Sequence, residues 1–269
     1  FSDNFAGELP EGIMRTVTPA AADAWLTALK FYGTMTFEQI VTPALELAEF
    51  GFPVPKSVHQ ALLRQEKNLD AYDNSWNSTR KIFFPNSKAP SIGDKLIQSD
   101  LANTFKRMIE VERANSNMGR EGAIQSVRDY FYKGEIGKQI VAFCQENGGL
   151  LTENDMAEFQ VEIEKPTKGN YKGIDVFTCG PWCQGPVVIE TLHILESFNL
   201  RDMGHNSADY IHTVIEALKL SFADREFFFG DPNFIDVPMQ ALMSKAYSEM
   251  RKTKIDLKKA SPAMPAPGD

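Results

Sequence analysis

The chain has 269 residues, 43% of them hydrophobic, and a formal net charge of −8. The apolar share suffices for an ordinary packed core, while the acidic balance offers no basic stripe to neutralise phosphates, which sets nucleic acid aside as a partner. No apolar run is long enough to span a bilayer. Three cysteines are too few, and odd in number, for a disulfide framework; cytoplasm and periplasm both stay open as locations.

Residues 1–18 are punctuated by glycine and proline and read as a loop. A helix is expected over Ala20–Leu29, with Ala21, Ala24, Trp25 and Leu29 at helical offsets. Thr36 and Gln39 form a capping box for the next helix, which carries Ile40, Val41, Ala44, Leu47 and Ala48 inward, is kinked by Pro43 and stops at Gly51. A short helix over Ser57–Leu69 precedes a surface loop around residues 73–90. Leu101, Phe105, Met108 and Ile109 mark another amphipathic helix, and the polar, glycine-broken stretch Glu112–Glu121 reads as a surface insertion. Ile136, Ile140, Val141 and Cys144 share a helix face that ends at Gly148-Gly149. Thr152 with Asp155 caps a short helical turn. Phe159, Val161 and Ile163 alternate with polar residues, the pattern of a half-buried strand.

Lys172–Phe234 is the most informative stretch. Ile174 and Val176 suit a short strand, which Gly180, Pro181, Gly185 and Pro186 must end. Pro186 sits where a helix tolerates it best, in the first turn. Val188, Leu192, Leu195 and Phe198 follow at helical spacing. Ser207 caps a second helix with Ile211, Val214, Ile215, Leu218 and Phe222 on one face. In the run Ala223-Asp224-Arg225, Asp224 and Arg225 are expected to hold the helix end against the turn at Asp231. Residues 261–269, with three prolines and small residues, read as an exposed, flexible tail. The sum is an α+β chain, mostly helix with a few strands, in a single domain over residues 1–269.

No metal or cofactor is expected. His59, His193, His205 and His212 form no pair at metal-binding spacing with a carboxylate. Gly134-Glu135-Ile136-Gly137-Lys138 is too short for a phosphate loop, and Gln139 stands where Ser or Thr would bind magnesium. Cys179-Gly180-Pro181-Trp182-Cys183 has three residues between its cysteines where a dithiol redox motif has two.

Several blocks resemble the gamma-glutamyltranspeptidase superfamily of N-terminal-nucleophile hydrolases: Tyr32-Gly33-Thr34-Met35, Val41-Thr42-Pro43-Ala44, Phe131-Tyr132-Lys133-Gly134, Asn147-Gly148-Gly149-Leu150-Leu151-Thr152, Tyr171-Lys172-Gly173, Ala223-Asp224-Arg225, Gly230-Asp231-Pro232-Asn233-Phe234 and Val237-Pro238-Met239-Gln240-Ala241-Leu242. They fall in family order from about residue 16 onward. The resemblance implies the large-subunit part of a four-layer α/β/β/α sandwich, with its N-terminal part missing. It also implies a precursor that cuts itself after Asp269, so that a nucleophilic threonine opens the small subunit and no catalytic residue lies in this chain. The partners implied are that small subunit and a small-molecule amide or gamma-glutamyl substrate. Trp182, Cys183 and Gln184 replace the small residues usual in the family's proline-rich turn and are the expected substrate-lining residues, which puts the usual substrate in question. The runner-up activities are those of a cephalosporin-acylase-like or oxamate-amidohydrolase-like relative. A noncatalytic helical binding module that uses the 73–90 loop is the alternative outside enzymes.

Overall fold

The computed structural model describes residues 12–67, 69 and 77–269; the expectations for residues 1–11 and for the start of the 73–90 loop lie outside these. The sequence reading has one domain over 1–269, and the chain divides into two compact units, Phe1–Glu162 and Ile163–Asp269.

In the first unit the elements are α1 (Ala21–Tyr32), α2 (Phe37–Phe50), β1 (Phe52–Pro53), α3 (Lys56–Glu66), α4 (Asn77–Phe83), β2 (Lys95–Leu96), α5 (Ser99–Ala114), α6 (Gly119–Tyr132), α7 (Glu135–Glu146) and α8 (Glu153–Glu158). Strands β1 and β2 form a two-residue antiparallel pair. The expected capping boxes are both present: Gln39 N donates to Thr36 Oγ1 at 3.2 Å, and Asp155 N to Thr152 Oγ1 at 3.2 Å. Helix α2 runs unbroken through Pro43.

The main core joins α1, α2, α5 and α6 through Leu26, Leu29, Phe37, Val41, Met108, Ile109, Ile124 and Val127. This differs from the expected faces. Trp25 is 74% exposed, and Ile40 and Leu47 also face outward. Both helices carry apolar residues on more than one side, so apolar identity alone does not single out the buried one.

A buried ionic hub ties this unit together. Asp23 is fully buried and accepts from Arg128, from Thr27 Oγ1 at 3.3 Å and from Val161 N at 2.7 Å. Arg128 Nη2 also donates to Phe159 O at 2.5 Å. These contacts explain why the expected strand at Phe159–Ile163 is absent. Residues 159–166 have no regular structure, and two of the backbone groups that a ladder would use are taken by side chains.

The stretch Glu112–Glu121 is at the surface over most of its length, as expected, but its first residue is not. Glu112 ends α5 as a buried residue, and its carboxylate receives Phe37 N at 2.6 Å and Glu38 N at 2.7 Å. These are free amides at the start of α2, where negative charge is also favoured by the helix dipole. Glu112→Ala is therefore expected to cost about 1–3 kcal/mol, read as a lower urea midpoint with an unchanged slope.

The second unit opens with the hairpin β3 (Thr167–Tyr171) and β4 (Ile174–Thr178), paired from Thr167↔Thr178 to Tyr171↔Ile174. Lys172 and Gly173 turn it with φ of 48° and 88°, the positive values that match the twist of a two-residue hairpin. Four helices follow: α9 (Gly185–Glu196), α10 (Ala208–Phe228), α11 (Met239–Leu242) and α12 (Lys245–Lys252). Helix α9 lies close on the hairpin, since a Cβ at Gly169 would come within 2.3 Å of Ile189 Cγ2. Ile194, Leu195, Ala217 and Leu220 form the α9–α10 core.

Ser207 caps α10 as expected, accepting from Tyr210 N at 3.1 Å. The inward faces are again different. Val188, Ile211 and Ile215 are exposed, and α9 and α10 bury Glu190, Thr191, Thr213, Glu216, Ser221 and Asp224. The tail is irregular but not loose. Ser261 N meets the Glu216 carboxylate at 3.2 Å, Ser261 O accepts from Lys219 Nζ at 2.8 Å, and Gly268 is buried. Its backbone polar groups dock where an apolar face is lacking. Among the described residues no helix is long and apolar enough to cross a membrane.

Candidate functional site

Two features of the second unit carry chemistry. The first is the turn from Cys179 to Gln184, between β4 and α9. Glycine and proline shape it. A Cβ at Gly185 would stand 2.2 Å from Thr178 Oγ1 and 2.6 Å from Cys179 O, so the chain can enter α9 this tightly only through glycine. Pro186 occupies the first helical turn as expected. Cys183 N donates to Gly180 O at 3.2 Å, which rounds off the bend.

The sequence-predicted residues Trp182, Cys183 and Gln184 all lie on the exposed side of this turn. Trp182 is 56% exposed and is held by its indole N–H, which donates to Glu164 Oε1 at 2.7 Å. Beside the turn is an open groove of about 470 Å³, lined by Pro181, by residues 232–237 and by Met239. The three predicted residues rim the turn and do not line that groove. The Cys179 thiol is pushed up, first by burial and then by its contact with the Cys183 thiol. Both cysteines are free.

The second feature is a buried polar cluster where α9, α10 and α12 meet. Asp224 and Glu190 are fully buried and Arg251 nearly so. Arg251 Nε pairs with Asp224 Oδ2 at 2.9 Å, and Arg251 Nη2 donates to Leu220 O at 3.2 Å and to Ala266 O at 3.0 Å. Gly268 N donates to Asp224 Oδ1 at 2.7 Å. Both Glu190 oxygens meet no donor. Burial, with the neighbouring Asp224 carboxylate second, pushes the Glu190 carboxyl up to about 9, so near neutral pH it is the protonated partner of an acid pair. The Tyr247 hydroxyl is buried against the same group, and burial raises it above the ordinary tyrosine range.

This corrects the expected role of Asp224. Its partner is Arg251 and not Arg225, which pairs with Glu226 at the surface. Asp231 does shape the following turn, accepting from Asn233 N at 2.9 Å. One signal for the cluster was visible: Glu190 is the single carboxylate in the apolar run from Val187 to Ile194. Arg251 and Tyr247 sit in a polar segment and gave none. Among the described residues, no three His, Cys, Asp or Glu side chains are grouped to hold a metal ion.

The chain is similar to known proteins over almost its whole length. The family model described as gamma-glutamyltranspeptidase matches residues 3–268. The chain is 34% identical over 247 residues to the glutathione hydrolase proenzyme of Escherichia coli strain K12, covering 91% of this chain and 40% of that protein. It therefore spans less than half the length of that curated relative. Among solved structures, the gamma-glutamyltranspeptidase of Helicobacter pylori superposes with a TM-score of 0.76 at 27% identity, over 94% of this chain and 67% of that one. The cephalosporin acylase of Bacillus halodurans gives 0.82 at 27% identity, over 95% of this chain and 45% of that one. The order of blocks, the helix-rich architecture and a match over nearly every residue lead to one conclusion: the chain belongs to the gamma-glutamyltranspeptidase family.

Proposed function

We propose that this chain is the large-subunit part of a self-processed amidohydrolase or acyltransferase. It would contribute helices to a four-layer α/β/β/α sandwich completed by a small subunit from the same precursor. The observation that carries this reading is the family match over residues 3–268, joined to a 34% identical relative that is itself a proenzyme. The chemistry is attack by a threonine hydroxyl on an amide carbonyl, with the threonine's own free α-amino group as base. An acyl-enzyme forms, and water or an amine then takes the acyl group. That amino group exists only once the bond after Asp269 is cut.

A second reading concerns the acyl group. The bulky, exposed Trp182 stands at the turn near the groove, and a cephalosporin acylase is among the structures that superpose on the chain. The tryptophan supports an acyl donor other than a gamma-glutamyl amide. Trp182, Cys183 and Gln184 would face that donor at the rim of the completed pocket.

The test is a panel of chromogenic amides on the processed full protein. Gamma-glutamyl anilides are expected to be poor substrates relative to other acyl anilides. Trp182→Ser is expected to change the ratio of kcat/KM between acyl groups by about tenfold or more, the scale on which pocket shape discriminates, with a Tm shift below about 3 °C. Equal loss for every donor would remove Trp182 from substrate selection. Absence of amide turnover across the panel would overturn the enzyme reading itself.

A further inference from the structure

We propose that the cluster of Glu190, Asp224, Tyr247 and Arg251 is a seat for the Ala266–Gly268 segment, in which Asp224 and Arg251 are positioning residues that hold the tail for self-cleavage at Asp269 and Tyr247 is the wall that sets the size of residue 268. The inference rests on the processing reading given above.

Stability alone is a poor reason for such a cluster. Asp224 and Glu190 are fully buried and Arg251 is 3% exposed, and buried charges of this kind are often no better than apolar packing. What the cluster does hold is the backbone of residues 266–268. Asp224 takes the Gly268 amide at 2.7 Å, and Arg251 takes Ala266 O at 3.0 Å. The seat also selects its occupant by size. A Cβ on residue 268 would stand 2.1 Å from Tyr247 Oη and 2.7 Å from its Cζ. Gly268 is not among the residues with positive φ, so glycine is required by close approach and not by an unusual backbone.

The reaction explains why a fixed arm is useful. In the N-to-O shift, the hydroxyl oxygen of the residue after Asp269 bonds to the Asp269 carbonyl carbon. The C–N bond breaks, and the nitrogen leaves as an amine with the hydroxyl proton. Water then adds to the ester carbonyl and the C–O bond breaks, which yields the Asp269 carboxylate and restores the hydroxyl. Attack on the neighbouring carbonyl needs one particular, strained peptide geometry. A free arm samples that geometry rarely, whereas an arm clamped one residue away is held near it.

The experiment follows processing of the full-length precursor by intact mass over time. Wild type should be cut after Asp269. Gly268→Ala should slow cutting by about tenfold or more, and adding Tyr247→Ala, which opens the space that the new methyl needs, should restore much of the lost rate. Asp224→Asn should also accumulate uncut precursor. Should Asp224→Asn fail to fold, the Gly268 pair carries the test, because residue 268 lies outside every helix and strand. Cleavage of Gly268→Ala after Asp269 at the wild-type rate overturns the seat and leaves the processing reading standing. Wild-type cleavage at another bond overturns both.

Discussion

Asp23→Ala is expected to lower the stability of the full protein by about 3–5 kcal/mol, the usual cost of stripping one partner from a buried ion pair. The substitution leaves the Arg128 guanidinium, whose side chain is 12% exposed, without its counter-charge. It also frees Val161 N and the Thr27 hydroxyl, which donate to Asp23 at 2.7 and 3.3 Å. Tyr132 bears on the same point: it is 1% exposed, and its hydroxyl accepts from Asp23 N at 3.0 Å and donates to Pro19 O. Loss of the carboxylate therefore loosens the start of α1, the end of α6 and the irregular segment after α8 together. Urea denaturation followed by circular dichroism should show the midpoint falling with the slope unchanged. A loss below about 1 kcal/mol, the value of an exposed pair, would mean that water reaches Arg128 and that the hub is not the tie described.

What the sequence made legible was local. The capping boxes at Thr36 and Thr152 and the Ser207 cap need residues three apart, and all three stand in the structure. The turn before α9 was legible because glycine and proline dictate it. The buried faces were not, because the decisive partners are distant. Val161 reaches Asp23 across 138 residues and Phe37 reaches Glu112 across 75. A carboxylate in a helix reads as solvent-facing until its distant donor is known, so Asp23, Glu112, Glu216 and Asp224 were all placed on the wrong side or left unassigned. The alternation at Phe159–Ile163 failed for the same reason, since side chains remote in sequence took the backbone groups of a would-be strand. The Asp224 cluster combines these difficulties: α9, α10, α12 and the tail each supply a part of it.

Glu190→Gln is expected to stabilise the protein in mildly alkaline solution, an unusual direction for replacing a buried side chain. The unfolded chain releases the Glu190 proton near pH 4.5, whereas the folded chain holds it up to about pH 9. Burial is the main cause and the Asp224 carboxylate the second; attraction to Arg251 acts the other way and is weaker. Between those two values the folded state binds one more proton than the unfolded state, so stability falls as pH rises. The carboxyl's contribution is complete below about pH 4.5 and is spent by about pH 9. Glutamine has nearly the same shape, stays neutral in both states and adds N–H donors beside the Asp224 carboxylate. At pH 8 the variant should therefore exceed wild type by about 1–3 kcal/mol. The gain should shrink steadily on going to pH 5 and vanish near pH 4. Thermal melts of both proteins across this range measure it directly, as a Tm difference of several degrees at pH 8. A difference that does not change with pH, or a variant less stable at pH 8, would show that Glu190 is ionised in the fold and that Arg251 outweighs burial.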